Sequence, residues 1–166
     1  MERALEIVNT EQDQIFAWQM LHGCIPCLVI LANKRISNTG NCPMCQTGAE
    51  DIKHALLSSN RAREVWGALG IWDVIEKLLS VDRSGSVPIQ EIIGRRGLAT
   101  GLSNVGVAEL ILTGCWYIWW QRRQVVHGEE IQNPPRSTVS IAAISTNYAL
   151  ASKKSAVMNK NRKKPA

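Results

Sequence analysis

The chain has no run of about 18 apolar residues, which excludes a helix that crosses a membrane. Its opening stretch, Met1–Thr10, is charged and lacks an apolar core, so it does not read as a secretory signal. No segment alternates apolar and polar residues convincingly enough for a sheet. There is no Ser/His/Asp set, no glycine-rich phosphate loop and no paired-carboxylate site, and no enzyme is expected. Glu50-Asp51 opens a helix and Glu129-Glu130 follows a helix end, placements that do not call for acid–base chemistry. The five cysteines (24, 27, 42, 45 and 115) are an odd number. Without a signal this argues against a disulfide framework and for a reducing compartment, nuclear or cytoplasmic. Aromatic residues are few and one-sided, with six Trp against two Tyr and one Phe. Trp18, Trp66 and Trp119 are expected in the core.

What is present is a globular composition, 45% apolar over 166 residues, enough for one domain with tails. The net charge is +5, and it sits at one end. Residues 153–166 hold six cations and no acid, leaving 13 basic and 14 acidic residues for the rest. The tail is expected to be disordered, and Lys160, Arg162, Lys163 and Lys164 form a basic patch of the kind used for nuclear import or phosphate contact.

Helical periodicity predicts a mainly α protein. Glu11–His22 forms a first helix that Gly23 stops, and Pro26 sits in the first turn of a second, Cys27–Lys34. Ser37–Asn41 is loop, Cys42–Cys45 is a knuckle with at most a tiny hairpin, and Ala49–Leu57 is a short helix carrying His54. Asn60 is the predicted N-cap of a helix that ends at Gly70, and Ile71–Leu79 follows. Asp82–Val87 is the best internal boundary, Pro88–Arg95 a helical turn, and Gly101–Gly106 a loop. The longest helix is Val107–His127, with an apolar stripe running through Val107, Leu110, Ile111, Gly114, Ile118, Arg122 and Val125. Pro134-Pro135 forbids its continuation, and Thr138–Met158 forms the last helix.

Cys42-Pro-Met-Cys45 with His54 nine residues on brings two thiols and an imidazole together, the donor set that Zn²⁺ selects. A structural zinc site is closed by four ligands, and the fourth is not obvious. Ser59 stands where a thiolate would be natural, but a hydroxyl is a poor ligand at neutral pH. Cys24 and Cys27 would give C-x2-C-x14-C-x2-C, just outside the usual zinc-ribbon spacing. Cys24-Ile-Pro-Cys27 also has the C-x-P-C form of thiol oxidoreductases, but the segment before it reads as helix rather than strand.

The landmarks Phe16-Ala-Trp18, Leu21-His22-Gly23-(x2)-Pro26, Leu31-(x3)-Arg35, Cys42-(x2)-Cys45, Glu50, His54 and Val65-Trp66 resemble one family. It is the zinc-binding domain that follows the reverse transcriptase in plant non-LTR (LINE-type) retrotransposon polyproteins. Cys115-Trp-Tyr-Ile-Trp119-(x2)-Arg122-Arg123 is similar to the helix that connects this domain to an RNase H domain. The resemblance implies metal ligands Cys42, Cys45 and His54, with the family's fourth cysteine replaced by Ser59, and Cys27 is the candidate substitute. It also implies an N-terminal remnant (1–11), a zinc-binding-like domain (12–80), a loop-rich linker (81–106), a helical connector (107–152) and the basic tail (153–166). The flanking catalytic motifs are missing, as expected of an excised or degenerate fragment.

The expected role is therefore a non-catalytic zinc-type module that assists RNA or DNA binding through Arg61, Arg63 and the basic tail, with no small-molecule substrate. Arg61/Arg63 and Arg122/Arg123 also suit plain solvated helix faces. A metal-free helical adaptor for another protein is the alternative.

Overall fold

The computed structural model describes residues 11–80, 86–94, 100, 102 and 105–162, without the side chains of 12, 13, 92, 93, 152 and 155–162. The protein is mainly helical. Helix α1 spans Glu11–Leu21, α2 Leu28–Asn33, α3 Asn60–Ala68, α4 Trp72–Leu79, α5 Ser86–Gly94, α6 Val107–Val126 and α7 Pro134–Arg162. A π-helical turn, His54–Ser58, precedes α3. A bridge between Asn41 and Ala49 pairs extended backbone in a small hairpin at the knuckle.

The helix ends follow local chemistry. At Gly23 and Gly70 the chain turns left-handed, with φ of 68° and 72°. Each turn closes a long hydrogen bond back into the helix, Cys24 N–H to Gln19 O (2.7 Å) and Ile71 N–H to Trp66 O (3.1 Å). Helix α2 ends in the same way without a glycine. Arg35 takes φ 58° and Ile36 N–H reaches Leu31 O at 2.9 Å. Helix α2 also begins later than expected: Cys27 is its N-cap, so Pro26 lies outside the first turn. At α3 the cap is Ser59 rather than Asn60, its hydroxyl accepting the Ala62 N–H at 3.2 Å.

Helix α6 is the hub, packed against α1, α3, α5, α7 and the π-helical turn. A helix surrounded in this way is apolar on nearly every side rather than along one stripe. Leu110, Ile111, Leu112, Cys115 and Ile118 are all buried. One continuous core runs from Phe16 to Ala149. That core draws residues from both sides of the expected division at 80/107. Within the expected linker 81–106, α5 is a full helix that buries Ile89 and packs on α1 and α6. The expected disordered tail is likewise helical as far as Arg162, because α7 continues through its Lys- and Asn-containing end. Lys163 and Lys164 lie outside the described residues, as do the side chains of Lys160 and Arg162. Trp66 and Trp119 are core residues, whereas Trp18 is 45% exposed and stacks on His22 instead. None of the described helices is long and apolar enough to cross a membrane.

Candidate metal centre

The knuckle is shaped by its backbone. Cys42 N–H donates to Gly48 O (2.8 Å), Gln46 N–H to Cys42 O (2.8 Å) and Glu50 N–H to Gly40 O (2.7 Å). Gln46 completes the turn in a left-handed conformation, φ 55°. His54 comes from the following element. Asp51 caps that element by accepting the His54 N–H at 2.6 Å. The turn then widens, so that Ser59 N–H, five residues on, reaches His54 O at 2.8 Å. Such π-helical turns recur at functional sites.

The result is convergence. One donor atom from each of Cys42, Cys45 and His54 lies within 4.8 Å of the other two. Cys45 Sγ and His54 Nε2 are 3.2 Å apart. Zinc–sulfur and zinc–nitrogen bonds of about 2.3 and 2.0 Å place tetrahedral ligands about 3.5–3.8 Å from one another. The three groups therefore fit a zinc ion in both donor chemistry and spacing.

The two thiols differ. Burial pushes the Cys42 thiol up. Burial also acts to raise Cys45, but hydrogen bonds from Thr47 (Oγ1 to Sγ, 3.1 Å) and His54, together with Cys42, outweigh it and bring the thiol down to about 7. Cys45 is thus the thiolate-ready ligand of the pair.

The remaining expected residues divide. Ser59 is buried and its hydroxyl is engaged as the α3 cap. Cys27 is buried and lies outside the three-donor group. Burial first, then the charge of Glu50, pushes its thiol up to about 12. A nucleophilic thiol needs the opposite shift. With Cys24 exposed and α2 only six residues long, the C-x-P-C pair has no redox setting.

Arg61, expected to face phosphate, instead points its guanidinium into a polar junction. It donates to Gln121 Oε1 (3.1 Å), Ser137 Oγ (3.0 Å) and Gln132 O, and burial lowers its pKa. Arg63 is exposed, with its guanidinium 5.2 Å from the centroid of the Trp72 ring.

Sequence reasoning missed the support behind the knuckle. Glu50 is fully buried and accepts the Leu28 N–H at 2.8 Å. It also receives a two-point fork from Arg122, with Nε to Oε1 at 2.9 Å and Nη2 to Oε2 at 2.7 Å. Arg122 is therefore not on a solvated face. It ties the metal loop to the hub helix, and its guanidinium stacks over Trp119 at 4.8 Å. The available signal was the position of Arg122 within the apolar stripe of α6.

Comparison with curated proteins and with solved structures gives no match. A family described as zinc-binding in reverse transcriptase matches residues 10–66. That segment runs from α1 to Trp66 and has the Cys42–Cys45–His54 convergence at its centre. Residues 10–66 are therefore similar to the reverse transcriptase zinc-binding family.

Proposed function

We propose that the chain is a non-catalytic, retrotransposon-derived module of the plant non-LTR type that holds Zn²⁺ and assists nucleic-acid binding. The observation that carries the reading is the convergence of Cys42, Cys45 and His54 on a turn already set by backbone hydrogen bonds. A bound ion would supply a cross-link between the knuckle and the π-helical turn and would neutralise the two thiolates. Among the described residues no fourth His, Cys, Asp or Glu joins the three, and the Ser59 hydroxyl is engaged as a cap. The exposed cations Arg63 and Arg123 are the proposed phosphate contacts.

The engagement of Ser59 is also what favours a second reading, a metal-free helical adaptor. Metal analysis of wild type and Ser59→Cys separates the two. Wild type is expected to take up one equivalent of zinc, and Ser59→Cys to bind it about tenfold tighter or more, as a fourth thiolate closes the site. Without zinc the same variant is expected to be less stable by about 1 kcal/mol, through loss of the cap. Zinc should therefore invert the sign of its effect on stability. If neither protein holds zinc, the adaptor reading replaces this one.

A further inference from the structure

Helices α1 and α6 do not close on one another along their whole length. Between them lies a cleft of about 360 Å³, lined by Phe16, Gln19, Trp116, Trp119, Trp120 and Arg123, with Ile15 at its edge. Neither the metal centre nor the core packing accounts for it. Trp120 is 36% exposed and Ile15 52%, and exposed Trp18 lies one turn from Ile15 on the same helix.

We propose that this cleft takes an unstacked base of a single-stranded nucleic acid. The inference rests on the nucleic-acid part of the proposed function and gives it a site. Three indole rings and a phenyl ring supply apolar faces on which any base can stack. The wall is held in place: the Arg122 guanidinium lies over Trp119 and is itself fixed by Glu50, so that ring cannot collapse into the cleft.

Charge selects the class of ligand. Among the described residues the one charged group in the lining is a cation, Arg123, and no carboxylate pairs with it. An aromatic cage for a quaternary ammonium or methylated lysine would be opposed by that charge. A planar base joined to a phosphate suits it, the phosphate meeting Arg123 and the base edge meeting the Gln19 amide. The volume is at the small end for ligand pockets. It has room for a base and its sugar, whereas docking a helix requires a long groove with anchor positions over two turns.

The test uses the full chain and fluorescence anisotropy with a labelled 12-nucleotide RNA, single-stranded or as a duplex, over a range of salt. Wild type is expected to bind the single strand about tenfold tighter than the duplex, whose bases are already stacked. Trp120→Ala should weaken single-strand binding by about tenfold and leave the salt slope unchanged. Arg123→Gln should reduce the magnitude of the slope by about 0.7, the share of one single-strand phosphate. Both positions are exposed, and unchanged circular dichroism confirms that the variants fold. If wild type binds the single strand but both variants match it, the cleft assignment is overturned while the nucleic-acid reading stands. Equal affinity for duplex and single strand overturns the assignment too. If wild type binds neither, the nucleic-acid reading itself fails and takes the cleft with it. A Trp120-dependent response to an amphipathic peptide but not to RNA would make the cleft a polypeptide groove.

Discussion

At the scale of single residues, the metal centre is set by unequal environments for like groups. Cys45 comes down from an ordinary 9.0 to about 7, while burial drives Cys27 up to about 12 and raises Cys115 as well. A depressed thiol contributes stability above its ordinary value and loses that contribution as pH falls through about 7. In metal-free protein, iodoacetamide labelling read by mass spectrometry should therefore modify Cys45 with a half-maximal rate near pH 7, alongside the exposed Cys24, and leave the buried Cys27 and Cys115 untouched. Added zinc should suppress it. A Cys45 rate still climbing steeply between pH 8 and 9 would contradict the hydrogen-bonded thiolate. The donor types and their spacing were legible, because C-x2-C and a following His form a local pattern. Their unequal burial was not, since it depends on what packs behind the turn. Glu50 and Arg122 show the same limit. They are 72 positions apart, and only the folded chain brings their forks together.

At the scale of elements, most helix boundaries were readable because caps are local. Gly23 and Gly70 end helices as their lack of a side chain allows. Arg35 performs the same turn with a side chain in place, and nothing in its residue type announces it. The shift from Asn60 to Ser59 at α3 has a similar origin. Both are good caps, and the widened π-helical turn decides between them by delivering Ser59 in extended backbone, φ −60° and ψ 154°. Helix contacts were harder to read. At Gly114 the hub helix passes so close to Trp66 that a Cβ built there would fall inside the contact radius of Cη2 and Cζ3 of the indole. Trp66 is fully buried and held by its Nε1–H donating to Leu56 O at 2.9 Å, so the ring cannot swing aside. Gly114→Ala gains about 1 kcal/mol of helix propensity but meets an overpacking cost of about 1–3 kcal/mol or more. Because the obstacle is rigid, net destabilisation is expected in urea unfolding, although alanine is the better helix former. A stabilised variant would mean that α3 and α6 can separate freely.

At the scale of the whole molecule, the question is whether the metal-binding segment is a unit by itself. Its sequence boundaries suggested so, because family landmarks end near Trp66 and a Ser/Gly stretch follows. Packing argues otherwise. Trp66 seats against Gly114, Glu50 is neutralised by Arg122, and Arg61 joins Gln121 to Ser137, so buried contacts tie α3 and the knuckle across to α6 and α7. A fragment spanning 11–80 would leave Glu50 buried without its cation and Trp66 without a wall. It should fail to show a cooperative thermal transition, whereas the full chain should unfold in a single one. Within the full chain, Glu50→Gln leaves the Arg122 charge unpaired in the core, a change that costs about 3–5 kcal/mol in buried pairs. For a protein of this size that corresponds to a Tm lower by roughly 10 °C. Calorimetry should show the loss in the one transition rather than in a separate early one. If the fragment melts cooperatively, or Glu50→Gln splits the transition in two, the knuckle is an independent domain and α6 only a neighbour. A single, lowered transition instead makes the hub helix part of the machinery that shapes the metal site, for the guanidinium that braces Trp119 in the cleft also neutralises the carboxylate behind the ligands.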